Sequence, residues 1–351
     1  NPMKITTRLT RTAAGVAVAA LAATGLSLAA APAQAAEPVF SQLTLEHSVS
    51  SYLQEIKSGP GCTFWTPDTS KVPGDIPMLA NTTKSSSLSF SQEASNKVDQ
   101  TDGLKITGSE QGTARATTQG SNPKSIELSF AGKAQVAANP KTPESKACSA
   151  APSVDMTFRY VFTSTQPLWA TLSYTKAGPS YAEAWISAQS SDESEELYGW
   201  ASKGSGSSTI YLPAGSYSGY VAGNPSMSRT AKSKTISASG NVKITFAPVG
   251  SAISGPSGKA QSYAALAKTR SCSTHTLSAK LTTSSKKIKR ISKVSFSVNG
   301  KTVKTLRGKA VKRGKAVILR LNDGSPASVK TTVRFKTGKS YSATANYRAC
   351  S

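Results

Sequence analysis

Apolar residues recur at every second position through much of this chain. The runs SLSFS (Ser87–Ser91), LKITG (Leu104–Gly108) and SIELSF (Ser125–Phe130) show it, and so do VDMTFRYVF (Val154–Phe162) and WATLSY (Trp169–Tyr174). TIYL (Thr209–Leu212), YSGYV (Tyr217–Val221) and VKITF (Val242–Phe246) continue the pattern. In an extended backbone, alternate side chains point to opposite faces, so each run predicts a strand with one buried and one wet face. Gly, Ser, Asn and Pro separate the runs, as turns require. Helical spacing is confined to two short candidates, Phe40–Ile56 and Ser262–Lys268. The expected class is all-β: two antiparallel β-sandwich modules joined by a Gly/Ser/Pro linker.

The C-terminal stretch carries explicit hairpin chemistry. SKVSFSVNGKTVKTL (Ser292–Leu306) puts Val294, Phe296 and Val298 on one face. Asn299-Gly300 then supplies the two positive-φ positions of a type I′ turn, with Val303 on the return strand. AVILRL (Ala316–Leu321) is a further strand, and Thr332–Cys350 forms a second hairpin around Lys336-Thr337-Gly338-Lys339.

Charge divides the chain more sharply than pattern does. Gly258–Ser351 holds 15 Lys and 7 Arg against the single acid Asp323, a net 22 − 1 = +21. Glu37–Ser257 holds 17 basic and 17 acidic residues and is neutral. The remaining +3 of the overall +24 is Lys4, Arg8 and Arg11. The stretch GSAISGPSG (Gly250–Gly258) lies at the break and reads as the linker. The predicted organisation is a targeting segment over 1–35, a body over 36–249 with an N-terminal extension, the linker over 250–258, and a basic module over 259–351.

The N-terminus fits an export signal. Lys4, Arg8 and Arg11 precede an Ala/Val/Leu-rich run from Ala13 to Ala31, and Ala33-Gln34-Ala35 has the small-x-small form of a cleavage site. No later apolar run reaches membrane-spanning length, so no transmembrane segment is expected after cleavage and the protein is expected to be secreted. Cys62, Cys148, Cys272 and Cys350 suit disulfides in that compartment. Of three pairings, Cys62–Cys148 and Cys272–Cys350 is the economical one, because two cysteines lie on each side of the charge break. Each bond closes a long loop, worth roughly 4 kcal/mol in the chain-entropy model. A zinc site is the poorer reading: no CxxC occurs, and His47 and His275 are the only histidines.

The basic module carries the leading functional candidates. Lys286, Lys287, Lys289 and Arg290 cluster at one strand entry, and Lys309, Lys312, Arg313 and Lys315 at the next turn. Twenty-two bases against one acid exceed what solubility or edge protection asks of a sheet, so an anionic partner is expected. Outside a cell that means anionic cell-wall polymer or acidic polysaccharide. Nucleic acid enters only as a non-specific partner, because stacking platforms between the cations are few: Phe296 and Phe335 read as core, leaving Tyr263, Tyr341 and Tyr347.

The body offers weaker candidates. The rings of Tyr181, Trp185, Tyr198, Trp200, Tyr211, Tyr217 and Tyr220 read first as core and cross-strand pairs, and second as a sugar-stacking surface. Asp192-Glu193-Ser194-Glu195-Glu196 reads as a solvated loop rather than a Ca²⁺ site, since the alternating Asp-x-Asp pattern is missing. No HExxH or GxSxG motif is present, and no motif flags a carboxylate pair. No catalytic residue, metal or cofactor is therefore assigned. A glycan-binding body, or a hydrolase with an unrecognised carboxylate site, are the alternatives to a non-catalytic binding and anchoring protein.

YLPAGSYSGYVAG (Tyr211–Gly223), with TQPLWATLSY (Thr165–Tyr174) before it, resembles strands of bacterial pre-peptidase C-terminal-type and related jelly-roll modules. The likeness covers about 90 residues and lacks the acidic residues that hold Ca²⁺ in some of those modules. VSFSVNGKTVKTL resembles bacterial Ig-like modules of secreted actinobacterial proteins, and the Ala-rich leader also looks actinobacterial. Both resemblances imply accessory modules that bind, space or anchor.

Overall fold

The structure, a computed structural model, describes residues 38–56, 61–64, 72–96, 101–138, 144–189, 196–201, 204–321 and 324–351, with backbone alone at 196–201. The leader reading, Asp323 and most of the acidic loop lie outside these residues. Two compact units are present. The first comprises the described residues up to Gln166 plus Ala170–Ile210 and Ala214–Phe246. The second comprises Pro167–Trp169, Tyr211–Pro213 and Ala247–Ser351.

Among the described residues, thirteen strands lie wholly or mostly in the first unit. They are β1 (Phe40–Glu55), β2 (Cys62–Phe64), β3 (Ile76–Pro77), β4 (Thr83–Asn96), β5 (Gly103–Gln119), β6 (Asn122–Ala138) and β7 (Cys148–Ser164). There follow β8 (Leu168–Ala177), β9 (Ser180–Ala188), β10 (Glu196–Ala201), β11 (Ser205–Leu212), β12 (Gly215–Pro225) and β13 (Lys234–Pro248). One sheet has the order β10-β9-β12-β7-β1-β3, the other β11-β8-β13-β6-β5-β4-β2. Every alternating run in the body lies inside a strand. Met156, Phe158, Tyr160 and Phe162 on β7, and Ile126, Leu128 and Phe130 on β6, are buried between the sheets. Two β5 glycines let the sheets approach: a Cβ on Gly108 would meet Val154, and one on Gly112 would meet Met156 and the Ser129 carbonyl.

Phe40–Ile56 is not helical. It forms β1, paired with β7 from Phe40↔Phe162 to Glu55↔Cys148. Leu43 and Leu45 point inward, and a long antiparallel ladder outweighs the modest helix preference of Leu, Gln and Glu. Ser262–Lys268 is likewise not a helix: a 3₁₀ turn at Lys259–Ser262 runs into β14 (Ala264–Leu266).

The second unit adds β15 (Thr276–Leu281), α1 (Ser285–Ile288), β16 (Ile291–Val298), β17 (Lys301–Arg307), β18 (Ala316–Arg320), β19 (Ala327–Phe335) and β20 (Ser340–Tyr347). Its sheets are β14-β15-β18 and β17-β16-β19-β20. Leu277, Val294, Phe296, Val317, Val333 and Tyr347 share one buried core. Asn299 and Gly300 take φ 48° and 83°, as the hairpin chemistry requires. Gly250–Gly258 does not run free. Its backbone bonds to Lys268, Thr344, Asn346 and Ala349, so it lies along the edge of β20.

Both disulfides form with the expected pairing, Cα atoms 5.3 Å apart at Cys62–Cys148 and 5.5 Å at Cys272–Cys350. No helix among the described residues is long and apolar enough to cross a membrane. The disulfides fit an extracellular protein.

Candidate anion-binding end and the other polar surfaces

Register decides where the basic residues of the second unit go. β18 runs back along β15, with Lys280 opposite Ala316, so the end of β15 adjoins the start of β18. Lys293 lies opposite both Arg307 and Arg334, so the start of β16, the end of β17 and the end of β19 meet at one place. Backbone bonds fuse these connections. Leu281 donates to the Lys315 carbonyl and Gly314 to the Leu281 carbonyl (3.1 and 2.9 Å), while Lys336 donates to the Arg290 carbonyl (2.8 Å). Three connections of the sandwich therefore share one end.

Those connections carry all eight predicted residues. Lys286 and Lys287 lie on α1, with Lys289 and Arg290 just after it. Ser284 caps that turn by accepting from the Lys287 amide (3.4 Å), and buried Ile288 pins it to the core. Lys309 lies on the 3₁₀ turn Gly308–Ala310, and Lys312, Arg313 and Lys315 on the loop that follows. All eight are exposed. Arg307, Arg334, Lys336 and Lys339 join them at this end, on the strand ends and the β19–β20 turn. No Asp or Glu lies among the described residues of this unit.

The opposite end uses cations differently. Arg270, 3% exposed, donates to the Gly324 carbonyl (2.5 Å), and Arg348 donates to the Ala252 carbonyl (3.1 Å). These guanidinium groups hold backbone together near Cys272–Cys350. Burial pulls the Arg348 pKa down from its usual value.

Aromatic rings are present at the cationic end, but not as a platform. Phe335 is half-buried rather than core. It meets Tyr263 at 5.2 Å and 79°, and Tyr341 at 5.3 Å and 72°. Lys259 and Lys339 lie over Tyr341 at 5.8 and 5.4 Å. These ring faces are occupied by one another and by cations, which leaves charge as the means of recognition.

In the first unit, Tyr217 is core, but Tyr181, Trp185 and Tyr220 are half-buried on the outer face of the six-stranded sheet. Trp185 pairs with Tyr220 across β9 and β12, as the cross-strand reading has it. Tyr198 and Trp200 align with Trp185 and Glu183 in the backbone register of β10. On the other sheet, a depression of about 600 Å³ is lined by Ser87, Ser109, Glu110, Gln111, Lys133 and Ser237, with Leu88, Ala131, Ala177 and Ala238 among the apolar residues between them.

One functional-looking group was invisible to motifs. Glu110 occupies an inward position of β5, 2% exposed, and its carboxyl oxygens have no hydrogen-bond partner among the described residues. Burial, with the nearby Asp155 charge, pushes its pKa up to about 9, so it is neutral at pH 7. Burial also raises Asp155, against the opposing effect of hydrogen bonds from Asn224 and Ser153. Strict alternation around Glu110 was the available signal, since it places 110 on the same face as Leu104, Ile106 and Ala114. The pair is the nearest thing to an acid/base couple, and Glu110, although only 2% exposed, is among the residues that line the depression on the seven-stranded sheet. His47, also inward, has a lowered pKa, chiefly from burial with Asp75 opposing.

No protein-family model matches the chain, and no curated protein does. Among solved structures, the adhesin domain of Epf from Streptococcus pyogenes is 12% identical at a TM-score of 0.18, over 64% of this chain and 79% of that one. The Endo-D glycoside hydrolase domain from Streptococcus pneumoniae R6 is 12% identical at 0.19, over 64% of this chain and 33% of that one. Similarity this slight carries no argument about function.

Proposed function

We propose that this is an exported, non-catalytic binding protein whose C-terminal unit attaches it to anionic cell-envelope polymer, such as wall polyphosphate or acidic polysaccharide. We read the two units as jelly-roll-like and Ig-like accessory modules. One observation carries the proposal: the topology of the second unit gathers the bases of three connections at one end, with no carboxylate among its described residues to neutralise them. Like charges held together this way repel one another, and a flexible polyanion relieves that repulsion while releasing its own counterions.

The test is retention on purified cell walls as NaCl is raised. The Debye length falls to about 3 Å at 1 M, so coulombic attachment collapses. DNA-binding proteins with six to ten phosphate contacts lose about 10³–10⁵ in affinity between 50 and 200 mM salt. A less densely charged polymer is expected to lose roughly ten- to a hundredfold by the same mechanism. The quadruple variant K286E/K287E/K289E/R290E should lose retention at low salt, and walls stripped of anionic polymer should not retain the native protein. Attachment indifferent to salt sinks the proposal.

A further inference from the structure

We propose that the anionic polymer lies across the outer face of the four-stranded sheet of the second unit, and that it is a polyol phosphodiester rather than an acidic polysaccharide. This rests on the reading that the unit attaches the protein to anionic envelope polymer; it adds the ligand's chemistry and its place.

Register assembles the face in rows that cross the strands. Lys293 on β16 lies opposite Arg307 on β17 and Arg334 on β19. The next row is all hydroxyl: Thr305, Ser295, Thr332 and Ser342 stand opposite one another on β17, β16, β19 and β20. Lys330 lies in the row beyond, opposite Ser297. The intervening residues Val294, Phe296, Leu306, Val329 and Val333 are buried, so alternation turns these rows outward. Each row residue is exposed or half-exposed. Strands about 4.8 Å apart and a two-residue rise of about 7 Å make the face about 14 Å on a side.

The cationic row works against the fold. Like charges directly opposite one another destabilise an antiparallel pair, and here three stand in line. No Asp or Glu among the described residues of the unit offsets them. An anion laid along the row removes the repulsion. Lys293 also follows Arg290 at the same strand entry, so the row carries the charge of the cationic end on to the sheet.

The remaining side chains select the anion. Arg, Lys, Ser and Thr are the residues that contact phosphates in nucleic-acid backbones. Guanidinium and ammonium groups supply charge, and hydroxyls donate to the non-bridging oxygens. Among the described residues this face carries no aromatic ring, since Tyr263, Phe335 and Tyr341 pack against the core. The C–H face of a sugar ring therefore has nothing to stack on here. A polyol phosphodiester has no ring to stack, and presents acceptors to a surface of donors.

The test measures the full chain against poly(glycerol phosphate) and polygalacturonate by calorimetry, from 50 to 200 mM NaCl. The phosphodiester should bind at least tenfold more tightly. K293Q/K330Q/R334Q should weaken it tenfold or more, and should not melt below the native protein, because repulsion is relieved. Its slope of log K against log [NaCl] should fall by about 2, at roughly 0.7 per lost phosphate contact as for single-stranded nucleic acid. The charge-matched K268Q/K280Q/R320Q, on and beside the three-stranded sheet, should keep the native slope. S295A/T332V, which removes hydroxyls and no charge, should bind about threefold more weakly at an unchanged slope. Equal losses in the two triple variants overturn the proposal, and so does polygalacturonate bound as tightly as the phosphodiester. Walls that retain the protein while poly(glycerol phosphate) does not bind it overturn this inference and leave envelope attachment standing. Walls that do not retain it overturn both.

Discussion

The two units dispose of their charge in opposite ways. In the first, the consequential charges are paired or buried: Arg159 with Glu46, Lys243 with Glu127, Lys232 with Glu144, and Glu110 buried as a neutral acid. In the second, charge stands outside and unbalanced, with exposed bases on the shared connections at one end. A buried acid makes stability depend on pH, and an exposed cluster of like charges makes it depend on salt. The first unit should therefore respond to the proton and the second to the ion, and each should be nearly indifferent to the other's variable.

The largest expected effect is at Glu110. Its folded-state pKa, about 9, lies above the ordinary 4.5, so the native state holds a proton that the unfolded chain releases between those values. Stability of the first unit is then greatest below about pH 4.5, as far as this group is concerned. It falls as pH rises towards 9, with about 3 kcal/mol lost by pH 7. Glu110→Gln, which cannot ionise, should recover an amount of that order at pH 7 and flatten the slope. Peptide-resolved hydrogen exchange from pH 5 to 9 reads it, and an unaltered slope in the variant would mean that the carboxyl is not held neutral.

A smaller effect is expected at Gly219, beneath the aromatic face. A Cβ there would lie 2.0 Å from the Trp185 carbonyl oxygen and 2.7 Å from the Tyr160 hydroxyl. That hydroxyl donates to the same carbonyl at 2.8 Å. Gly219→Ala should cost roughly 2 kcal/mol through overpacking and move Trp185, with a shift in its fluorescence. Exchange in the second unit should not change. An equal loss in both units would blur the comparison.

The smallest effect separates the units from the other side. Raising NaCl from 10 mM to 0.5 M should stabilise the second unit by on the order of 1 kcal/mol, as screening relieves repulsion among its exposed bases. The first unit, neutral and internally paired, should gain far less. A salt response shared equally by both would show that the charge at the cationic end is compensated.

Much of the fold was legible because it rests on local rules. Alternation located eight of the thirteen strands of the first unit, and Asn299-Gly300 announced its hairpin. β1 was not legible, since Leu, Gln and Glu in Phe40–Glu55 favour a helix locally and only β7 overrides them. Nor was Gly250–Gly258, whose flexible composition hides an edge that β20 pairs. The eight basic candidates could be named as two clusters, but not as one end. Trp185 and Tyr220 could not be told from core, because a strand of uncertain register does not say which of its faces is wet.

The sequence by itself determined the class of fold, the charge division and the economical cysteine pairing. These depend on period, counts and order along the chain, which survive any folding. Only the tertiary structure decided that two basic clusters 23 residues apart in their first members share an end. It also decided that Glu110 is buried as a neutral acid and that Trp185 and Tyr220 lie half-buried on an outer face rather than in the core. Each depends on which strand lies beside which, and that is settled by packing between residues distant in the chain.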